Sequence, residues 1–166
     1  MSPLGKLWSC PKCGRKLVGR NMWHACNGAT VAGFLRRGDA AARALYRRFE
    51  HMIAACGPYH VSPAKTRIAF QARVRFGGVS AIRPGELVIS FALPRPRSSR
   101  RFLDVKEIVP GWWAHRLRVT RLGDLDDELQ GWLRESYRLM GMQERLRKGS
   151  QRKARSRRTD REARAG

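Results

Sequence analysis

The apolar positions of this chain change period along its length. After Asp39, AAARALYRRFEHMIAAC places Ala42, Leu45, Phe49, Met52, Ile53 and Cys56 at spacings of three, four, three, one and three. That is one stripe of a helix, opposed by Arg43, Arg47, Arg48 and Glu50. Asp39 has the side chain of a helix N-cap, and Gly57-Pro58 ends the run. From Lys65 the period falls to two. Ile68, Phe70, Ala72, Val74 and Phe76 point one way, and Arg67, Ala69, Gln71, Arg73 and Arg75 the other. The pattern predicts one half-buried strand, or two strands with a tight turn near Gln71–Arg73. Gly77-Gly78 predicts a bulge or bend, and Arg83-Pro84-Gly85 a turn.

Leu87, Ile89, Phe91 and Leu93 line one face of a further strand, and Leu117 and Val119 alternate with Arg116 and Arg118 in another. Phe102–Val109 keeps no clean period and is expected to be extended or irregular. Asp124 is expected to cap a last helix. Leu125, Leu129, Trp132, Leu133, Ser136 and Met140 form its stripe, with Asp126, Asp127 and Glu128 in its first turn. Helix, antiparallel strands and helix predict an α+β domain over residues 39–141. Its expected form is a two-layer sandwich with both helices on one sheet face. Residues 148–166 hold eight basic and two acidic residues and no large apolar one. Residues 142–166 are therefore expected to be a basic, largely disordered tail.

The remaining segment, residues 1–30, carries chemistry instead of periodicity. Cys10, Cys13, His24 and Cys26 stand in the spacing C-x2-C-x10-H-x-C. In Cys-Pro-x-Cys-Gly two thiolates converge across a tight knuckle, and Gly14 supplies the permissive backbone that the bend needs. A return segment brings His24 and Cys26 to close a tetrahedron. Three thiolates and one imidazole suit Zn²⁺, and four protein ligands leave no open position, so one structural zinc is expected. A redox C-x-x-C would normally sit at a strand–helix junction and would leave His24 and Cys26 unexplained. Trp8 and Trp23 flank the ligands and are expected to pack around the knuckle. Cys56 stands alone on a helical stripe and reads as a small core residue.

Charge then narrows the partner. The chain has 166 residues and a formal net charge of +22. Residues 1–38 carry +7, residues 39–141 carry +8 and residues 142–166 carry +7. Arg outnumbers Lys by 28 to 7. The guanidinium fork fits phosphate oxygens, although codon usage in a GC-rich genome also produces Arg. An excess this large favours an anionic partner, with nucleic acid first. The apolar runs are too short to span a bilayer, and the first residues lack a signal region, so a cytoplasmic protein is expected. No Ser/His/Asp order, Gly-rich phosphate loop or HExxH motif is present, so no catalytic residue is assigned. Asp104 and Glu107 would be half of a nuclease metal site, but they stand in the least regular segment.

Several blocks are familiar together: Trp8-x-Cys10-Pro-x-Cys13-Gly-Arg, Asn21-x-Trp23-His24-x-Cys26, Leu45-Tyr-Arg-Arg-Phe49, Cys56-Gly-Pro58, Ser62-Pro-Ala-Lys-Thr-Arg-Ile-Ala-Phe-Gln71, His115-x-x-Arg118 and Asp126…Trp132-Leu-x-Glu135-x-Tyr137. In this order they resemble an uncharacterised actinobacterial type of zinc-finger protein with a C-terminal domain of unknown function. That domain also occurs in proteins labelled "predicted transport protein". The resemblance spans roughly residues 8–147. It implies a cytosolic zinc knuckle joined to a small α+β domain, and it brings no catalytic residues. Pro94–Pro110 and the Arg-rich tail depart from the pattern.

Two functions follow as expectations. In the first, the outward row Arg67, Arg73, Arg75, Arg116 and Arg118 forms a positive sheet face that binds nucleic acid non-specifically. Trp112 and Trp113 offer stacking surfaces, and the tail adds phosphate affinity. In the second, a small-ligand or protein-interaction domain uses a pocket where Lys65 and His115 meet at one sheet edge beside Trp112 and Trp113.

Overall fold

The computed structural model of the chain describes residues 4–17, 20 and 24–143. Trp23 and the tail beyond residue 143 lie outside the described residues, so the expectations placed on them are not addressed by it. In chain order the strands are β1 (Trp8–Ser9), β2 (Lys16–Leu17), β3 (His60–Pro63), β4 (Ile68–Gln71), β5 (Arg75–Arg83), β6 (Glu86–Leu93), β7 (Phe102–Val109) and β8 (Trp112–Val119). The helices are α1 (Val31–Leu35), α2 (Ala40–Ala54) and α3 (Asp127–Ser136). A 3₁₀ turn (Leu122–Asp124) precedes α3, and a π turn (Tyr137–Gly141) follows it.

Asp39 caps α2 as its residue type predicts, accepting the Ala42 N–H at 2.8 Å. The same carboxylate accepts the Gly85 N–H at 2.9 Å, which fastens the β5–β6 turn to the helix start. Ala42, Leu45, Phe49, Met52 and Ile53 are buried on one face of α2, and Tyr46 joins them.

β1 and β2 form a small hairpin, and the other six strands form one antiparallel sheet in the order β3-β4-β5-β6-β8-β7. The sheet's central row is Leu87, Ile89, Phe91 and Leu93 of β6, all buried. Both long helices touch β6 and each other, and their buried residues join that row in one apolar cluster. The architecture is thus mixed α+β with a six-stranded antiparallel sheet.

Three local expectations are sharpened and one needs correction. Of the two alternatives for the run from Lys65, two strands is the one formed: the chain bends at residues 72–74, where Gly141 O accepts the N–H groups of Arg73 and Val74. Gly77 and Gly78 lie inside β5, and the irregularity expected at them falls just after, between Val79 and Ala81. Phe102–Val109 takes the extended alternative, as the edge strand β7. Register shifts at Phe102/Asp104 and Glu107/Val109 interrupt its alternation, and Leu103, Ile108 and Val109 are exposed. The cap of α3 is Asp126, which accepts the Leu129 N–H at 3.0 Å. Asp124 instead closes the preceding turn, accepting the N–H groups of Thr120 at 2.9 Å and Arg121 at 3.0 Å.

At Gly78 the backbone of β4 comes close to β5. A Cβ there would lie 2.5 Å from Ile68 O, a backbone atom that cannot rotate away. Gly78→Ala is expected to force the two strands apart and cost about 1–3 kcal/mol in urea unfolding. Gly123→Ala meets open space and is the control, expected within about 0.5 kcal/mol of the parent.

Candidate metal centre and outer sheet face

The knuckle between β1 and β2 is built as the C-P-x-C-G order requires. Gly14 adopts φ 70°, its N–H donates to Cys10 O at 2.8 Å, and the Cys10 N–H donates to Arg15 O at 2.9 Å. This turns the Cys10 and Cys13 side chains to one side. His24 and Cys26 come from the return segment. The four ligand atoms all lie within 4.8 Å of one another. Cys26 Sγ is 3.6 Å from Cys10 Sγ, 3.7 Å from Cys13 Sγ and 3.0 Å from His24 Nε2. A tetrahedral zinc with Zn–S of about 2.3 Å has S···S edges of about 3.8 Å, so the thiol spacing suits such an ion.

The electrostatics point the same way. Burial works against ionising Cys10, but the N–H groups of Lys12 and Cys13, with His24 and Cys26, bring its thiol down to about 6. Desolvation and the neighbouring Cys10 and Cys13 push Cys26 up to about 11. Without a cation the neighbouring thiols disfavour ionisation of Cys26. A divalent cation allows all three to ionise.

Arg15, which the sequence reading counted only as surface charge, holds this centre to the sheet. Its guanidinium donates to Ala25 O at 2.6 Å, to Ala29 O at 3.4 Å and to Pro63 O of β3. Gln71, read as outward-facing, is buried because β2 covers it, and its Nε2 donates to Lys16 O at 3.2 Å. The signal was present in the sequence: an uncharged amide stood among arginines on the outward face.

The expected arginine row divides. Arg116 and Arg118 of β8 pair with Ser90 and Val88 of β6, on the face opposite the Leu87–Leu93 row. Both meet acids there: Arg116 reaches Asp104 at 3.2 Å, and Arg118 reaches Glu86 at 3.3 Å. Arg67 and Arg75 line one hollow of ≈ 130 Å³ on that face. Arg73 leaves the row, because it lies in the bend, with its guanidinium beside Gly5. Trp113 pairs with Leu93 on the helix side, so of the two tryptophans only Trp112 falls on the outer face.

The expected Lys65–His115 pocket does not form. Lys65 lies between β3 and β4, whereas His115 is on β8, with β5 and β6 in between. Lys65 instead lines a hollow of ≈ 300 Å³ with Asn27, Thr30 and Arg36. His115 is fully buried, stacked on Phe91 with ring planes 4° apart. Its Nε2 accepts the Arg97 N–H at 2.9 Å, so Nδ1 carries the proton and donates to Trp113 O at 3.0 Å. Burial holds its pKa below the usual histidine value. Asp104 and Glu107 do not share a site either: Asp104 pairs with Arg116, and Glu107 accepts the Gly111 N–H at 2.9 Å.

The family model described as a domain of unknown function, DUF5655, matches residues 31–140. The matched segment begins at α1, after the last of the four clustered ligands. No curated protein and no solved structure matches the chain.

Proposed function

The chain belongs to the DUF5655 family through residues 31–140, and we propose that it is a zinc-stabilised accessory protein that binds nucleic acid non-specifically through the outer sheet face and its basic tail. The observation that carries this reading is the charge on that face. Arg67, Arg75, Arg83, Lys106, Arg116 and Arg118 stand against only Glu86 and Asp104. Between them the strands carry Ala69, Gly78, Ser90, Ala92 and Ala114, whose small side chains let a backbone approach the sheet. An anionic polymer matches a broad positive face with a low floor.

Zinc would be held by Cys10, Cys13, His24 and Cys26. It would supply a structural cross-link, since four protein ligands leave no position for a substrate. Clustered thiols fit a metal in the reducing cytoplasm better than structural disulfides. The domain is read as a two-layer sandwich, because α2 and α3 share one apolar cluster with β6. That arrangement leaves the part of the opposite sheet face that β2 does not cover to the partner.

The test is a fluorescence titration of the full chain with a labelled random oligonucleotide. Micromolar or tighter affinity is expected at about 50 mM salt, with a steep fall in affinity as salt rises. Deleting residues 148–166 is expected to flatten the slope without abolishing binding. Absence of binding by the full chain at low salt overturns the reading.

A further inference from the structure

The two edges of the sheet are treated differently. β3 is four residues long, ends at Pro63, which has no N–H to offer, and is tied to the N-terminal segment through Arg15. β7 is eight residues long, and among the described residues no strand pairs with its free edge. Three of the four large apolar side chains exposed among the described residues stand on it: Leu103, Ile108 and Val109. An open edge of that length, with apolar residues at both ends, is a template for another strand.

The charges of β7 decide which strand. Asp104 and Lys106 pair with Arg116 and Ala114 of β8 and therefore stand on the outer face of the sheet, whereas Val105 pairs with buried His115 and faces the helices. A second copy added antiparallel to this edge is related to the first by a two-fold axis normal to the sheet. Like faces then stay together, so the axis passes through a residue and not between two. Between the two register shifts, the regular stretch Asp104–Glu107 offers four such centres. Centred on Asp104, on Lys106 or on Glu107, the strands set that charge against its own copy. Centred on Val105, they set Asp104 of each copy against Lys106 of the other. This is the one register of the four with no like charges opposed, and it forms two ion pairs. It also brings Leu103 of one copy beside the Ile108 end of the other. Lys106 guards the edge against stacking on itself, yet it fits this single arrangement.

We propose that β7 is a self-association surface, through which two copies of this chain join their sheets around Val105. Each copy has one such edge, so the association closes at a dimer. The axis places both outer faces on the same side of the joined sheet. The dimer does not depend on the nucleic-acid reading, and either can fail without the other.

The experiment is sedimentation velocity of the full chain, freed of nucleic acid, from about 1 to about 200 µM. A monomer–dimer equilibrium in this range is expected, as for a small interface. Lys106→Glu and Asp104→Lys are each expected to weaken it by about tenfold or more, because two attractions become two repulsions. Arg48→Glu, an exposed site on α2, makes the same change of charge as Lys106→Glu and is expected not to weaken it. A mixture of Lys106→Glu and Asp104→Lys restores opposite signs at both pairs across the axis. It should regain the dimer, seen by native mass spectrometry as a mixed species. Hydrogen exchange over residues 103–107 of the parent should be slower in the concentrated sample than in the dilute one.

Asp104 meets Arg116 at 3.2 Å. If Asp104→Lys fails to fold for want of that contact, Lys106→Glu and the exchange measurement decide. A parent that stays monomeric at the highest concentration overturns the proposal. So does a dimer that Lys106→Glu leaves intact, a mixture of folded variants that forms no mixed dimer, or a doubling of mass with no change of exchange in β7. Oligonucleotide binding is read separately and is touched by none of these outcomes.

Discussion

Stripping the metal, or replacing Cys10 with serine, is expected to unfold the N-terminal segment and loosen the β3 edge while the rest of the sheet stays folded. The hairpin that carries the knuckle has only two residue pairs, Trp8↔Leu17 and Ser9↔Lys16. A hairpin of that size is marginal in water at best. Among the described residues its apolar anchorage is Leu4 and Leu17, both buried, with Leu7 packed partly buried against the core, which is little to offset the ordering of such a segment. Besides the Arg15 and Gln71 hydrogen bonds, the zinc reading makes the four ligands the main source of the remaining stabilisation. Structural zinc binds zinc-finger peptides with about 10–16 kcal/mol of apparent free energy near neutral pH, and most of it appears as folding energy.

The loss should spread along defined contacts. Once the knuckle opens, Arg15 no longer holds Pro63 of β3, and Gln71 loses Lys16 O as the acceptor of its buried amide. β3 is an edge strand paired only with β4, so it should open next. The measurement is native mass spectrometry with hydrogen exchange. One zinc per chain is expected for the parent and none for Cys10→Ser. Protection is expected to fall over residues 4–17 and 24–30 and over β3, and to persist in β5, β6 and β8. A knuckle that stays protected without metal refutes the assignment.

What was legible in the sequence was chiefly what is local. The stripe from Ala42 to Ile53 lies within one helix, and Cys10, Cys13, His24 and Cys26 lie within seventeen consecutive residues, so spacing alone brings their side chains together. The inward rows of β6 and β8 were legible because each strand alternates without a break. β7 was not, because register shifts near both ends displace its alternation. The cap of α3 was misplaced because Asp124 and Asp126 have the same capping chemistry. What separates them is buried Leu125, held at φ −95° and ψ 66° between the 3₁₀ turn and the helix. Strand pairing is a non-local property. Alternation gives the face on which Arg116 and Arg118 stand, but only the register supplies Asp104 and Glu86 as their partners. The same register keeps Lys65 apart from His115.

Acidification is expected to weaken the fold through His115, and His115→Leu should remove much of that dependence. The imidazole is buried between the Phe91 and Phe102 rings, with centroids at 5.4 Å and 5.0 Å. Both nitrogens are engaged in the neutral form. Protonating Nε2 would point an N–H at the Arg97 N–H that it now accepts. Burial depresses the pKa most, and the nearby Arg97 charge adds to this. The Trp113 carbonyl and Glu135 oppose it without reversing the direction. A histidine whose pKa is lower folded than unfolded leaves the unfolded chain holding more protons. Its contribution is therefore complete above the unfolded value of about 6.5 and is lost as pH falls through it toward the folded value. The capping carboxylates Asp39, Asp124 and Asp126 are held below the usual range, so their loss begins only below about pH 5.

The two windows can be separated by urea unfolding at about pH 7.5 and about pH 5.5. The parent should lose stability across that interval, and His115→Leu should lose less, with His24, His51 and His60 common to both chains. At the higher pH the variant should itself be less stable by about 2–5 kcal/mol, since the Arg97 N–H and Trp113 O are both left without their partner. The local readout is hydrogen exchange at the Arg97 amide. That amide anchors the loop before β7, whose other ties include Arg97–Glu135 at 2.6 Å, Arg101–Asp126 at 3.0 Å and Arg101–Glu128 at 2.8 Å. It should be protected at neutral pH in the parent, and exposed in the variant and in acid. An unchanged pH dependence in His115→Leu would show that another group carries the acid sensitivity and that this ring is only a packing element.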